Sequence, residues 1–143
     1  MSFKNPASTA TLIVEREGKI LLVKRKHEPY RGMLALPGGF LNHKQETLER
    51  AAQRELYEET RLKVKQKDLY LLCVNSSPDR DPRGHVIDHV YVVPVVQGEA
   101  RANDDAKCLE WRAVEEMPKR LAFDHSKDIK MYKEWRMRRR WTL

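Results

Sequence analysis

The sequence predicts an α/β fold (α+β) in which a mixed sheet is covered by helices on both faces. Three observations lead to this class: β-rich runs lie on both sides of one amphipathic helical segment, a second helical segment closes the chain, and turn-forming residues separate the elements. The 143 residues, 41% of them apolar, supply enough material for one hydrophobic core. We therefore predict a single domain over residues 1–143.

The predicted strands are β-rich runs bounded by turn-forming residues. They cover residues 9–15, 19–25, 69–75, 86–96 and 107–113. The first two are joined at Glu17-Gly18, which is typical of a hairpin. Residues 76–84 join the third and fourth strands and are dense in Ser, Asp, Pro and Gly, so this loop is either a substrate lid or a plain connection.

Two segments are predicted to be helical. Thr47 is the predicted N-cap of a helix that ends near Thr60. At helical spacing, the apolar residues of this segment lie on the same side as Glu55 and Glu59, so these two carboxylates should point inward. Asp124 is the predicted cap of the final helix, whose aromatic residues we expect in the core.

Three carboxylates in the first predicted helix indicate a metal site. Glu55, Glu58 and Glu59 stand at positions i, i+3 and i+4, where they repel one another unless positive charge lies among them. Clustered carboxylate oxygens suit a hard ion such as Mg2+, which commonly shares its coordination with substrate phosphates. The alternative is a solvated helix face with an i, i+4 pair between Arg54 and Glu58. The inward direction of two glutamates favours the metal site.

The segment from Gly38 to Leu62 resembles the Nudix box, in which glycine is followed by five residues, Glu, seven residues and then Arg-Glu-apolar-x-Glu-Glu-x-Gly-apolar. The preceding residues, 36–40, read Leu-Pro-Gly-Gly-Phe and are similar to the family's entry to the box. The positions in register are Glu46, Arg54, Glu55, Leu56, Glu58, Glu59 and Leu62. Agreement at this many spaced positions is a specific signal.

Two positions depart from the family pattern. Six residues instead of five separate Gly39 from Glu46, which lengthens the loop before the helix. Arg61 stands where the family has glycine. Because a side chain disfavours the left-handed conformation that often ends a helix, by about 1 kcal/mol, we predict a modified helix end at this residue.

The resemblance implies the α/β/α sandwich of Nudix proteins and the hydrolysis of a nucleoside diphosphate linked to another group, with water as the nucleophile. The implied cofactor is Mg2+, with Mn2+ as the alternative. The implied metal ligands are Glu55, Glu58, Glu59 and the carbonyl of Gly38. Arg54 is expected to orient a glutamate. We thus assign Arg54, Glu55 and Glu58 to the catalytic set.

The residue that removes the proton from water stays open between two places. Nudix relatives place the base either in the box helix, where Glu55 is the candidate, or in a later loop. In this chain the later loop offers Glu99, Asp104 and Asp105. An exposed acidic turn explains those three residues equally well.

Residues 81–84, 103–106 and 121–125 resemble segments of the ADP-ribose pyrophosphatase branch. ADP-ribose is therefore the first-choice substrate, with AMP and ribose 5-phosphate as products. The candidate substrate contacts are Arg25, Arg83, Asp104, Asp105 and Phe123. The alternatives are another nucleotide (NADH, a dinucleoside polyphosphate, a damaged nucleotide or an RNA 5′ end) or a non-catalytic ADP-ribose sensor.

Composition limits the partners. The net charge of +7 is concentrated in residues 127–143, where seven Lys or Arg stand against two acids. A solvated helix end explains this tail better than nucleic-acid binding does, so we expect no nucleic-acid partner. The apolar runs are too short to span a bilayer, and we predict a cytoplasmic protein that binds a nucleotide and that could form a homodimer. Cys73 and Cys108 are predicted to be reduced thiols in the core.

Overall fold

The computed structural model describes residues 5–42, 45–101 and 108–142, with side chains through residue 139. These ranges contain seven strands, two α-helices and two short 3-10 turns, Gln66–Asp68 and Val114–Glu116. The elements are β1 (Ala7–Arg16), β2 (Lys19–Lys24), β3 (Leu34–Ala35), β4 (Gly38–Phe40), α1 (Leu48–Thr60), β5 (Tyr70–Asn75), β6 (Val86–Val93), β7 (Leu109–Ala113) and α2 (His125–Thr142).

Strand β1 is the centre of the sheet. It runs parallel to β6 and antiparallel to β2 and β4, so the sheet is mixed, as predicted. The strand order is β3-β2-β1-β6-β5, with β4 also paired to β1 and β7 paired to β2. The pairing of β1 with β4 sets Thr11 opposite Gly38 and Ala10 opposite Gly39, which places the glycine turn of the Nudix-like segment beside the middle of β1.

The core has two layers, one on each face of the sheet. Alternate residues of β1 point to opposite faces: Leu12 packs with Leu56 of α1, whereas Ile13 packs with Ile129 and Tyr132 of α2. Because both faces are covered, the central strands are buried on both sides and lack an alternating polar pattern. The predicted α/β/α sandwich is confirmed.

The local signals at the first hairpin and at the start of α1 are confirmed. Glu17 and Gly18 both have positive φ values, 54° and 78°, as a two-residue turn that matches the strand twist requires. The Thr47 side chain accepts a hydrogen bond of 3.1 Å from the backbone N–H of Arg50. This bond satisfies one of the free donors at the helix N-terminus.

The prediction for Arg61 is wrong, because the helix end keeps the geometry of a glycine cap. Arg61 adopts φ 67°, and its N–H donates to the carbonyl of Tyr57 at 2.9 Å. Its guanidinium carbon lies 5.1 Å from the centre of the Tyr57 ring. This cation–π contact and the capping bond offset part of the left-handed penalty.

The cysteine prediction is half right. Cys73 is half-buried on β5, with its Sγ atom 3.9 Å from a carboxylate oxygen of Asp128, and burial raises its pKa to about 12. Cys108 is exposed, because it precedes β7 and does not belong to the strand. Within the described ranges, neither helix has the length and apolar composition that crossing a membrane requires.

Candidate active site

The carboxylates of α1 meet the glycine turn of β4. A Cβ atom added to Gly39 would lie 2.6 Å from both carboxylate oxygens of Glu55, so a residue with a side chain cannot stand there without moving them. The N–H of Gly38 donates to Glu59 at 3.3 Å. The Glu55 side chain is 17% exposed and that of Glu58 is 53% exposed. Glu55 and Glu59 thus point inward, as predicted, and Glu58 lies at the rim.

Arg54 donates hydrogen bonds to three glutamates, Glu46, Glu55 and Glu58. Its guanidinium makes a two-pronged contact with Glu46, at 2.7 and 3.0 Å, and donates to Glu55 at 2.8 Å and to Glu58 at 3.3 Å. It also donates to the carbonyl of Phe40 at 3.0 Å. Charge-assisted bonds of this length restrict the rotamers of the acceptors. The geometry is the one that an orienting role for Arg54 needs.

The buried surroundings of Glu55 and Glu59 disfavour the charged form of both carboxyl groups. Burial, and then the charge of Glu55, raises the pKa of Glu59 to about 8. Burial also raises the pKa of Glu55, although Arg54 acts in the opposite direction. Two crowded, desolvated carboxylates are stabilised by a divalent cation as well as by protons. The oxygen donors of Glu55, Glu58, Glu59 and the Gly38 carbonyl therefore fit a hard cation such as Mg2+.

A cavity of about 130 Å3 opens beside Gly38 and Gly39. Three of the predicted substrate residues, Arg25, Arg83 and Phe123, line it. The guanidinium carbon of Arg25 lies 4.9 Å from the Phe123 ring centre, and that of Arg83 lies 5.2 Å from it. Burial, and then the charge of Arg83, lowers the pKa of Arg25. Two cations that line the same cavity favour an anionic ligand.

The remaining predicted candidates for substrate contacts and for the base are Asp104, Asp105 and Glu99. Asp104 and Asp105 lie outside the described residues. The side chain of Glu99 is 88% exposed and stands 3.9 Å from Arg16, the last residue of β1, whereas Gly38 pairs with Thr11 in the middle of that strand. Of the two candidates for the base that the structure describes, Glu55 and Glu99, Glu55 lies beside the glycine turn.

Sequence reasoning missed a group of buried charges beside the cavity. Asp88 accepts hydrogen bonds of 2.8 Å from both Thr9 and Thr11, and Asp128 accepts one of 2.8 Å from Asn75. Asp88 and Asp128 are each 1% exposed, and the second carboxylate oxygen of each accepts no hydrogen bond from the described residues. One signal was available, since Asp88 is an acid within the apolar run of β6.

This buried group has the spacing of a cation site, because Asp88, Asp124, His125 and Asp128 each offer one donor atom and these atoms lie within 4.8 Å of one another. Both Asp124 oxygens, however, accept from Arg80, at 2.7 and 2.8 Å. The Nδ1 atom of His125 accepts from the N–H of Leu36 at 3.0 Å, and burial lowers the histidine pKa to about 4. Since Arg80 already supplies positive charge, we assign no ion to this group.

The buried acids should make stability depend on pH. Burial raises the pKa of Asp128 to about 7 and also raises that of Asp88. An acid with a raised folded pKa holds its proton in the folded state alone between the unfolded and folded pKa values, so stability declines from about pH 4 to about pH 7. The slope for one proton is at most about 1.4 kcal/mol per pH unit.

Asp128→Asn should flatten this decline, because an amide stays neutral at every pH. We expect the free energy of unfolding of the wild type to fall between about pH 4 and about pH 7, and that of the variant to fall less, as measured by urea denaturation. Asp79→Asn, at an exposed position of the 76–84 loop, is the control and should keep the wild-type decline. Parallel curves for the wild type and Asp128→Asn would contradict the assignment.

The fold and the meeting of a glycine turn with a carboxylate-bearing helix define the class of protein. Residues 4–134 match the family model described as NUDIX domain. The chain belongs to the Nudix family, and it is an enzyme of the Nudix pyrophosphohydrolase class.

Relatives of known name agree with this. The chain is 51% identical to an ADP-ribose pyrophosphatase of Methanocaldococcus jannaschii over 94% of this chain and 77% of the relative. A MutT/nudix family protein from Enterococcus faecalis has a TM-score of 0.80 at 31% identity, over 94% of this chain and 63% of that one. A bifunctional NMN adenylyltransferase/ADP ribose pyrophosphatase from Francisella tularensis, complexed with AMP and a Mn ion, has a TM-score of 0.78 at 34% identity, over 94% and 43%.

Proposed function

We propose that the protein hydrolyses ADP-ribose to AMP and ribose 5-phosphate in a reaction that depends on Mg2+. The observation that carries the proposal is that the cavity with Arg25, Arg83 and Phe123 opens beside Gly38 and Gly39, the glycine turn that contacts the inward carboxylates of α1. A diphosphate that reaches these carboxylates would lie next to the arginines. The names of the relatives from Methanocaldococcus jannaschii and Francisella tularensis support ADP-ribose as the substrate.

Each residue has a defined task in this proposal. Glu55 and Glu59, assisted by Glu58 and the Gly38 carbonyl, hold the divalent cation. The bound cation would neutralise the diphosphate and lower the pKa of the attacking water. Arg54 holds Glu55 in position through its bond of 2.8 Å. The base is either Glu55 or a carboxylate of the later loop.

The substrate contacts follow from the walls of the cavity. Arg25 and Arg83 would bind the phosphate oxygens, since both are cations that line the cavity. Phe123 offers a ring that can stack on a base, although it already packs against Tyr30 with a centroid distance of 4.9 Å. Asp104 and Asp105 stay candidates outside the described residues. A cytoplasmic location, a homodimer and a single domain over residues 1–143 also stay predictions.

The basic tail does not favour RNA as the main substrate. Arg136 donates to Glu15 at 2.9 Å, and the guanidinium carbon of Arg139 lies 4.9 Å from the Trp135 ring centre. These contacts within the chain agree with the interpretation of the tail as a helix end. An RNA-end hydrolase would show a steep dependence of RNA affinity on salt.

A substrate panel tests the proposal. ADP-ribose, NADH, a dinucleoside polyphosphate, an oxidised nucleoside triphosphate and a 5′-triphosphate RNA are incubated with the protein in Mg2+ or in excess chelator, and the products are separated by chromatography. We expect ADP-ribose to have the highest kcat/KM, to yield AMP and ribose 5-phosphate, and to be stable in chelator. Preference for another nucleotide would overturn the substrate assignment. Binding of ADP-ribose without turnover would indicate a sensor.

A further inference from the structure

Arg80 is a buried cation that connects three parts of the structure. Its side chain is 6% exposed and lies in the 76–84 loop between β5 and β6. The Nε and Nη2 atoms donate to the two carboxylate oxygens of Asp124, at 2.8 and 2.7 Å. The Nη1 atom donates to the carbonyl of Val86 at 3.3 Å, and Nη2 lies 3.7 Å from Asp88. One guanidinium thus joins the loop to the first residues of β6 and to the start of α2.

Phe123 forms one wall of the cavity, and its position depends on the contacts of Arg80. It precedes Asp124 and has φ 55°, a left-handed conformation that costs a residue with a side chain about 1–2 kcal/mol. Such a conformation persists where neighbouring contacts enforce it. The two-pronged bond from Arg80 fixes the next residue in the chain, and the Phe123 ring borders the cavity. Arg80 therefore acts on the direction of this ring.

Arg83, three residues after Arg80, forms a second wall of the cavity. Asp81 is 4% exposed and accepts from the backbone N–H of Arg83 at 2.9 Å and from its guanidinium at 2.8 and 3.0 Å. The Arg83 guanidinium carbon lies 4.6 Å from the Phe40 ring centre. Because Arg80 and Asp81 are adjacent, the buried contacts of Arg80 fix the part of the loop that presents Arg83.

We propose that Arg80 is a positioning residue for substrate binding, which holds the Phe123 wall and the Arg83 wall of the cavity in place through Asp124 and the loop. The inference rests on the proposed function, because it assumes that the substrate occupies this cavity. Arg80 has no chemical step of its own. Its planar fork matches the carboxylate of Asp124, a geometry that a lysine ammonium cannot reproduce.

The test compares Arg80→Lys with a matched control, Arg112→Lys. Arg112 also bonds a carboxylate, that of Glu110 at 2.8 Å, but on β7 and at a half-exposed position. Amide hydrogen exchange is measured without substrate. Arg80→Lys should speed exchange in residues 76–85 and 121–125 by about tenfold while α1 stays unchanged, and Arg112→Lys should change neither. Unchanged exchange in both segments would overturn the proposal, whatever the substrate proves to be.

Kinetics test the link to the substrate. Arg80→Lys should raise the KM for ADP-ribose by about tenfold and change kcat by less than about threefold, because the metal site is untouched. In a background with Arg83→Ala and Phe123→Ala, the same substitution should have almost no effect on KM, since both walls are gone. Arg80 itself lines the cavity, so an equal effect in that background would show either direct contact with the substrate or general destabilisation, and both would overturn the positioning role.

A second variant tests whether the effects of Arg80→Lys come from the ion pair or from a general loss of folding. Asp124→Asn breaks the same ion pair from the other side, and it should reproduce the exchange pattern of Arg80→Lys. If both variants melt as the wild type does and yet exchange normally, Arg80 does not hold the loop. If the wild type hydrolyses no ADP-ribose, the proposed function fails, while the exchange experiment still decides the role of Arg80 in the loop.

Discussion

Glu59→Gln is expected to lower kcat for Mg2+-dependent hydrolysis by at least about a thousandfold while the fold is retained. Glutamine has the same size as glutamate and can accept the Gly38 N–H, so the contact between α1 and β4 survives. What is lost is the negative charge that, in the proposed function, would hold the cation. In the wild type, that charge stands in a site where burial raises the pKa of the carboxyl to about 8.

Two measurements support this test. Added Mg2+ should raise the melting temperature of the wild type and leave that of Glu59→Gln unchanged, because a ligand stabilises only the form that binds it. Without metal, the variant should lose less stability than the wild type as the pH rises from about 4.5 to about 8, since the raised pKa of Glu59 adds to the decline in that window. Glu115→Gln, exposed and outside the site, is the control. Unchanged turnover in Glu59→Gln would remove this residue from the metal site.

Gly39→Ala is expected to lower kcat by about a hundredfold or more with little change in folding. The added Cβ would lie 2.6 Å from each carboxylate oxygen of Glu55, closer than atoms can approach. The Glu55 side chain is flexible and would move instead of the backbone. This movement would break its bond with Arg54 and, in the proposed function, would remove a ligand of the cation.

The mechanism of this effect is tested with a double variant. In a Glu55→Ala background the new methyl group has room, so adding Gly39→Ala should cost little further activity. The melting temperature of Gly39→Ala should stay near that of the wild type. Full turnover of the single variant would show that Glu55 does not need its position against Gly39, and additive losses would show that the methyl group acts on something else.

The inward direction of Glu55 and Glu59 was predictable from the amino-acid order because the residues that decide it are local. Glu55 and Glu59 stand four residues apart on one helix, and the spacing of their apolar neighbours decides which way they face. The cap at Thr47 and the turn at Glu17-Gly18 are also local, since each depends on the conformational preferences of a few adjacent residues.

The cavity wall was not predictable in this way because its parts come from distant places. Arg80 meets Asp124 across 44 positions, and Asp88 meets Thr9 across 79. Those meetings depend on the parallel register of β1 and β6 and on how α2 packs over the sheet. A charged residue in a polar loop has no local pattern that distinguishes a buried partner from water.

The same reason explains the two corrections. Arg61 keeps a left-handed conformation because its surroundings, including the Tyr57 ring, offset a local preference that points the other way. Cys108 is exposed because β7 begins one residue later, where its pairing with β2 begins. Short-range spacing therefore specified which carboxylates of α1 face inward. Long-range packing specified which charges are buried around the cavity. Burial depends on neighbours that the chain brings together only when it folds.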